Sequence, residues 1–243
     1  MFDPLHSASV TLKRTEAEQR SSLISEIEYD FQLALNKGKY YLGKAVVNFY
    51  LLQKPEQPKQ LFLDFCALAI TDLCINDGQV QRKGCFEGQR VYLDSPDLQQ
   101  GWNTVQLRYL NQYSNNRVGL HSYTDSSDGN QYLYTQFEAF YCNRVFPVFD
   151  QPDLKAKMSL VVTCPSEWRA VGNSVERRFD QAMTDGRFIM ERHGIEDFLT
   201  FYQNPEQVTI YEFEQTPKIS TYLYAVCAGN FEVFNDSDGM YPE

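Results

Sequence analysis

No run in this chain of 243 residues is long and apolar enough to cross a membrane as a helix. The longest apolar run, around Phe65 to Ile70, falls far short of the roughly 20 residues such a helix needs, so no membrane association is expected. The opening MFDPLHSASVTLKR lacks the charged-then-apolar order of an export signal, which makes a cytoplasmic location the default expectation. Positive charge is also short. Twenty-two Lys and Arg stand against 32 Asp and Glu, a net charge of −10. That argues against a nucleic-acid partner, since phosphate neutralisation needs basic patches. It suits a soluble acidic protein, or one that handles cationic groups. Histidine is scarce: His6, His121 and His193 are scattered, with no HExxH and no pair at metal-ligand spacing. No metal site is therefore expected in the chain, and each histidine reads as structural or solvated. There is no GxSxG elbow, no phosphate loop and no GxGxxG, which leaves out serine-hydrolase, nucleotide-triphosphate and dinucleotide chemistry. Six cysteines (Cys66, Cys74, Cys85, Cys142, Cys164, Cys227) include no CxxC pair. A zinc knuckle is excluded, and buried reduced thiols are expected.

What is present is a β pattern. Ile27, Tyr29, Phe31, Leu33 and Leu35 alternate with polar residues, and Val47, Phe49 and Leu51 repeat the period after the Asn36-Lys37-Gly38 turn. That predicts a β-hairpin with one buried side. Further strands are predicted at Leu61–Ile70 with a continuation over 72–76, and at 90–93, 104–110, Ala156–Thr163, Trp168–Val171, Arg187–Glu191, Thr209–Glu214 and Ile219–Ala228. Strand-turn units recurring every 8–12 residues predict an all-β antiparallel sandwich. Ahead of them, 11–25 reads as a short helix with Thr15 as N-cap, Glu18 completing a capping box, and charged residues on a solvated face. Ile195–Val208 has no clean period and reads as an insertion loop with one helical turn. The expected organisation is an N-terminal segment (1–25), a β domain (26–234) and a polar linker (235–243).

One stretch, Gly119 to Leu160, is dense in unusual choices. Asp128-Gly129 is a hairpin-type turn. Asp125 and Asp128 read as turn residues whose side chains bond nearby amides, with too few oxygens for calcium. Gln131–Gln136 reads as a strand, and Gln136 and Glu138, two residues apart, point to one face while Phe137 points to the other. An amide and a carboxylate presented together make a small acceptor site for an ammonium group, although a plain surface strand pair accounts for the same spacing.

YLYTQFEAFYCNRVFPVFDQPDLKA resembles the N-terminal domain of the aminopeptidase N family of zinc metallopeptidases, in its soluble cytosolic form. The matching positions are Thr135, Gln136 and Glu138 of TQxE, Arg144, the Phe146-Pro147 pair, and Phe149, Asp150, Pro152, Lys155 and Ala156 of FDxPxxKA. The opening 11–35 and the segment Thr216–Phe234 are similar to the start and end of that domain. The resemblance implies a saddle-like β-sandwich beside a thermolysin-like catalytic domain. It also implies that Glu138, with Gln136 beside it, binds the free α-amino group of a peptide N-terminus. The family's HExxH, its distal glutamate ligand and GxMEN do not occur in this sequence. The zinc of such enzymes would thus sit in a catalytic domain outside these residues, with no catalytic residue, metal ligand or cofactor expected within them. Two functions are carried forward: the substrate-recognition domain of a zinc aminopeptidase, or an inactive solitary domain serving as a binding or structural subunit. In both, another protein surface (the catalytic domain or a partner) is expected on the exposed sheet face.

Overall fold

A computed structural model describes residues 11–234, apart from 77, 80–84, 94–95, 97 and 181–183. The expected linker 235–243 lies outside the described residues. The chain opens with helix α1 (Arg14–Leu23). The strands are β1 (Ile24–Ala34), β2 (Tyr40–Leu51), β3 (Phe62–Asp64), β4 (Ala69–Ile75), β5 (Gly78–Gln79), β6 (Phe86–Glu87), β7 (Arg90–Tyr92), β8 (Gly101–Gln112), β9 (Gly119–Thr124) and β10 (Gln131–Gln136). After them come β11 (Ala156–Pro165), β12 (Arg169–Val171), β13 (Glu176–Asp180), helix α2 (Thr184–His193), β14 (Val208–Phe213) and β15 (Cys227–Gly229). Short 3-10 turns fill several connections.

An eight-stranded sheet runs in the order β13-β14-β11-β1-β2-β8-β4-β5. A four-stranded sheet, β12-β15-β10-β9, and a three-stranded one, β3-β7-β6, complete the all-β fold. Among the described strands, pairing is antiparallel except for β1 with β11, where Phe31 lies opposite Leu160. The alternation in β1 and β2 has the consequence foreseen from period two: Tyr29, Phe31, Leu33, Val47 and Phe49 are buried in one core. Leu120, Leu133 and Ala228 of the four-stranded sheet and Leu63 and Val91 of the three-stranded sheet join that core from the other side.

Several expectations are corrected, among them the single helical turn expected in Ile195–Val208, where two 3-10 helices form, Glu196–Phe201 and Pro205–Gln207. Residues Arg187–Glu191 are part of helix α2, not a strand. Gly186, Ile189, Met190 and half-buried His193 recur at helical spacing. Ile189 and Met190 pack with Ile195 and Phe198 on Ala34, Val161 and Ile210, the outer side of the large sheet. The strand predicted for Leu61–Ile70 divides between β3 and β4, which belong to different sheets. Ile219–Ala228 is strand only at its end, because Ser220 and Thr221 turn inward to donate to the Pro152 carbonyl and the Asp150 carboxylate, both at 2.7 Å, and a 3-10 turn follows. Finally, α1 begins one residue before Thr15, its first turn held by the Glu16 carboxylate, which accepts the Lys13 N–H at 2.8 Å. Its charged residues are not all solvated: Arg20 is fully buried, bonded to Asp64 at 2.7 Å and Gln151 at 3.0 Å. The strand β13 was not foreseen. Its sequence, ERRFD, is charged because it forms an edge of the large sheet, where charge blocks further strand pairing.

Candidate functional site

Strand β10 occupies the residues its sequence predicts, and it lies between β9 and β15. The Asp125 carboxylate accepts the Ser127 N–H at 2.9 Å and that of Asp128 accepts the Asn130 N–H at 2.7 Å, so the acidic cluster is a turn. The turn returns the chain into β10. Residues directly opposite each other across a ladder share a face. Tyr132 lies opposite Tyr123 and Gly229, Tyr134 opposite His121 and Cys227, and Gln136 opposite Gly119. Val171 of β12 extends the row beyond Cys227. The inward face carries Leu120, Leu133, Ala170 and Ala228, all buried. The outward face is therefore a band of aromatic and apolar side chains that ends at Gln136, with Tyr123 51%, Tyr134 38% and Val171 53% exposed.

The end of β10 is fixed on three sides. Thr135 exchanges bonds with Val226: its N–H reaches the Val226 carbonyl at 3.1 Å, and its Oγ1 accepts the Val226 N–H at 2.9 Å. Phe137 is 2% exposed and meets Phe146 edge to face, with ring centroids 6.1 Å apart. Gly119, opposite Gln136, has φ +73°, and a Cβ there would lie 3.0 Å from the Arg144 Cβ. Only glycine combines that backbone with that close approach.

Gln136 and Glu138 flank the buried Phe137 and are both exposed. Among the described residues, no side-chain hydrogen bond or ion pair engages either of them. Phe140 beyond them is 40% exposed and lies against Tyr141, centroids 5.1 Å apart. His121 at the band's edge accepts the Arg117 N–H on Nδ1 at 3.2 Å, and burial, aided by the Arg117 charge, holds its pKa below the ordinary histidine value.

Behind this surface lies a buried polar network that sequence reasoning missed. The Asp150 carboxylate accepts the Asn143 N–H at 3.0 Å, its Nδ2–H at 2.7 Å and the Thr221 hydroxyl at 2.7 Å. The Asp150 N–H donates to Asp64, which also holds Arg20. Burial raises the Asp150 pKa above the usual carboxylate range against these donors. The FDQP run was the available signal, but only the fold reveals its partners. None of the six cysteines forms a disulfide, and Cys66, Cys142 and Cys164 are buried. Among the described residues, no group of three His, Cys, Asp or Glu side chains converges to hold a metal. Among the described residues, too, no helix is long and apolar enough to cross a membrane.

Comparison with known proteins gives a consistent result. Residues 25–191 match the family model described as the Peptidase M1 N-terminal domain. Aminopeptidase N of Streptomyces lividans is 30% identical over 224 residues, covering 90% of this chain and 22% of that protein. A probable M1 family aminopeptidase 1 of Encephalitozoon cuniculi is 31% identical over 146 residues, covering 59% and 14%. A probable aminopeptidase 1 of Sulfurisphaera tokodaii is 27% identical over 132 residues, covering 54% and 14%. The chain thus spans about a fifth or less of the length of these relatives.

Proposed function

The chain belongs to the peptidase M1 N-terminal domain family, and from that premise we propose that it is the substrate-recognition domain of a zinc aminopeptidase, with Glu138 binding the free α-amino group of the peptide and Gln136 assisting. The observation that carries this reading is an exposed, unengaged carboxylate and amide held on a rigid strand end by a buried phenylalanine between them. A carboxylate that meets an ammonium in a water-excluded site makes a charge-assisted hydrogen bond. It also selects against blocked peptides, which would leave the carboxylate desolvated and unpaired. The net charge of −10 favours the approach of a cationic N-terminus. The zinc would be supplied by a separate catalytic domain and would activate water for hydrolysis. That domain is the occupant proposed for the aromatic band of β12-β15-β10-β9, since the relatives are several times longer than this chain and the band ends at Gln136. A cytoplasmic location belongs to the same reading.

The same exposed band supports a second reading: an inactive subunit whose band is covered by a different protein. Purification of the native protein from its source separates the two. The first reading predicts an intact mass several times 28.2 kDa, peptides containing HExxH, and chelator-sensitive hydrolysis of aminoacyl p-nitroanilides. A species of 28.2 kDa that hydrolyses none of them would overturn it in favour of the second.

A further inference from the structure

Glu138 stands on a short loop between two anchors. Upstream, Phe137 is buried and Thr135 is tied to Val226. Downstream, the chain runs through Ala139, Phe140 and Tyr141 into the 3-10 turn Cys142–Arg144. The Tyr141 N–H donates to the Phe137 carbonyl at 2.8 Å, closing the loop on itself. The remaining tether is a side chain. Asn143 Nδ2 donates to the Phe140 carbonyl at 2.8 Å and to Asp150 at 2.7 Å. Asn143 is in turn fixed by its own N–H on Asp150 and by its carbonyl, which accepts the Cys66 N–H at 2.8 Å. A continuous chain of bonds therefore runs from Arg20 of α1, through Asp64, the Asp150 backbone and carboxylate, and Asn143, to the carbonyl two residues beyond Glu138. Every member except Phe140 is buried.

We infer that Asn143, held by Asp150, is a positioning residue that fixes the loop carrying Glu138, so that the carboxylate meets a peptide ammonium without first being ordered. The inference rests on the reading of Glu138 as the amine ligand. A pure stability role for Asn143 is the competing account. A buried side chain bridging a carbonyl and a carboxylate would also brace the fold if Glu138 did nothing. The two differ in what they couple to. A brace lowers stability alike whatever stands at 138. A positioning residue loses its effect on substrate binding once the group it positions is gone.

The test is a double-mutant cycle in the full native polypeptide, with a panel of aminoacyl p-nitroanilides as substrates. Asn143→Ala is expected to raise KM by about 10-fold, the loss of roughly one hydrogen bond's ordering effect, while kcat moves less than about 2-fold. In the Glu138→Ala background, Asn143→Ala should change KM less than about 2-fold. Should Asn143→Ala fail to fold, Asn143→Ser serves in the same cycle, since serine keeps a donor near Asp150 but is too short for the Phe140 carbonyl. An equal KM effect in both backgrounds, or none where Glu138→Ala alone raises KM, overturns the inference and leaves Glu138 as amine ligand. No KM effect of Glu138→Ala itself overturns the reading on which the inference rests.

Discussion

Truncating Phe137 should destabilise the fold well beyond an ordinary strand-end substitution. The residue closes β10, yet it is only 2% exposed and sits against Phe146. Phe146 in turn stacks on Phe31 of the central strand β1 with centroids 4.2 Å apart. Phe137→Ala removes the ring from a core in which Phe31, Val145 and Phe146 are all buried, so the neighbours have little freedom to collapse into the space. Buried Phe→Ala changes cost about 3–5 kcal/mol, the sum of lost transfer free energy and a residual cavity. Phe137→Leu keeps most of the volume and should cost under about 1.5 kcal/mol. Urea unfolding, followed by the fluorescence of buried Trp168, measures both. A loss below about 1 kcal/mol for Phe137→Ala would refute the claim that the Gln136–Glu138 pair is mounted on the main core.

Two further perturbations test other parts of the account. Gly119→Ala forces a Cβ to 3.0 Å from the Arg144 Cβ at φ +73° and should cost about 1–2 kcal/mol or more; a neutral result in the same urea assay would contradict the close packing behind Gln136. His193 is held at a pKa of about 4 by burial first, then by Arg192 and Lys44, despite Glu212 at 3.5 Å and Asp30 at 3.8 Å. Because the folded value lies below the ordinary one, the unfolded chain takes up the proton more readily. Stability is therefore full above about pH 6.5 and falls between 6.5 and 4, by at most about 3 kcal/mol, with the raised pKa of Asp30 partly offsetting it at the acid end. His193→Gln should flatten that slope in urea titrations at successive pH values, and an unchanged slope would contradict the assignment.

The strand that carries Gln136 was more legible in the sequence than much of the scaffold around it. Period two in β1, β2 and β10 is a local property, and Gly, Asn and Asp mark their turns, so these elements stand where the residues predict them. The helix α2 was not legible in a five-residue window, because its apolar positions Ile189 and Met190 acquire meaning only with Gly186 and His193 one turn to either side. The apolar run before β15 failed for a different reason. Its hydroxyls at Ser220 and Thr221 are drawn to Pro152 and Asp150, partners about 70 residues away that no local pattern specifies. Arg20 illustrates the same limit: on its helix it resembles its exposed neighbour Arg14, and only the fold sandwiches it between Phe62 and Phe149, at 5.1 and 5.8 Å from their centroids. The placement of Gln136 and Glu138 on either side of a buried Phe137 needed only strand alternation. The chemical task proposed for them rests on the motif they belong to, since a surface strand pair has the same spacing.

The most direct measurement is kcat/KM of the native protein and its Glu138→Ala variant on a free peptide and on the same peptide N-acetylated. Loss of one charge-assisted bond predicts a fall of roughly 10- to 100-fold on the free peptide. The blocked peptide, already poor, should change little, so the preference for a free N-terminus collapses. An unchanged preference in the variant would contradict the assignment of Glu138 as the group that reads the α-amine.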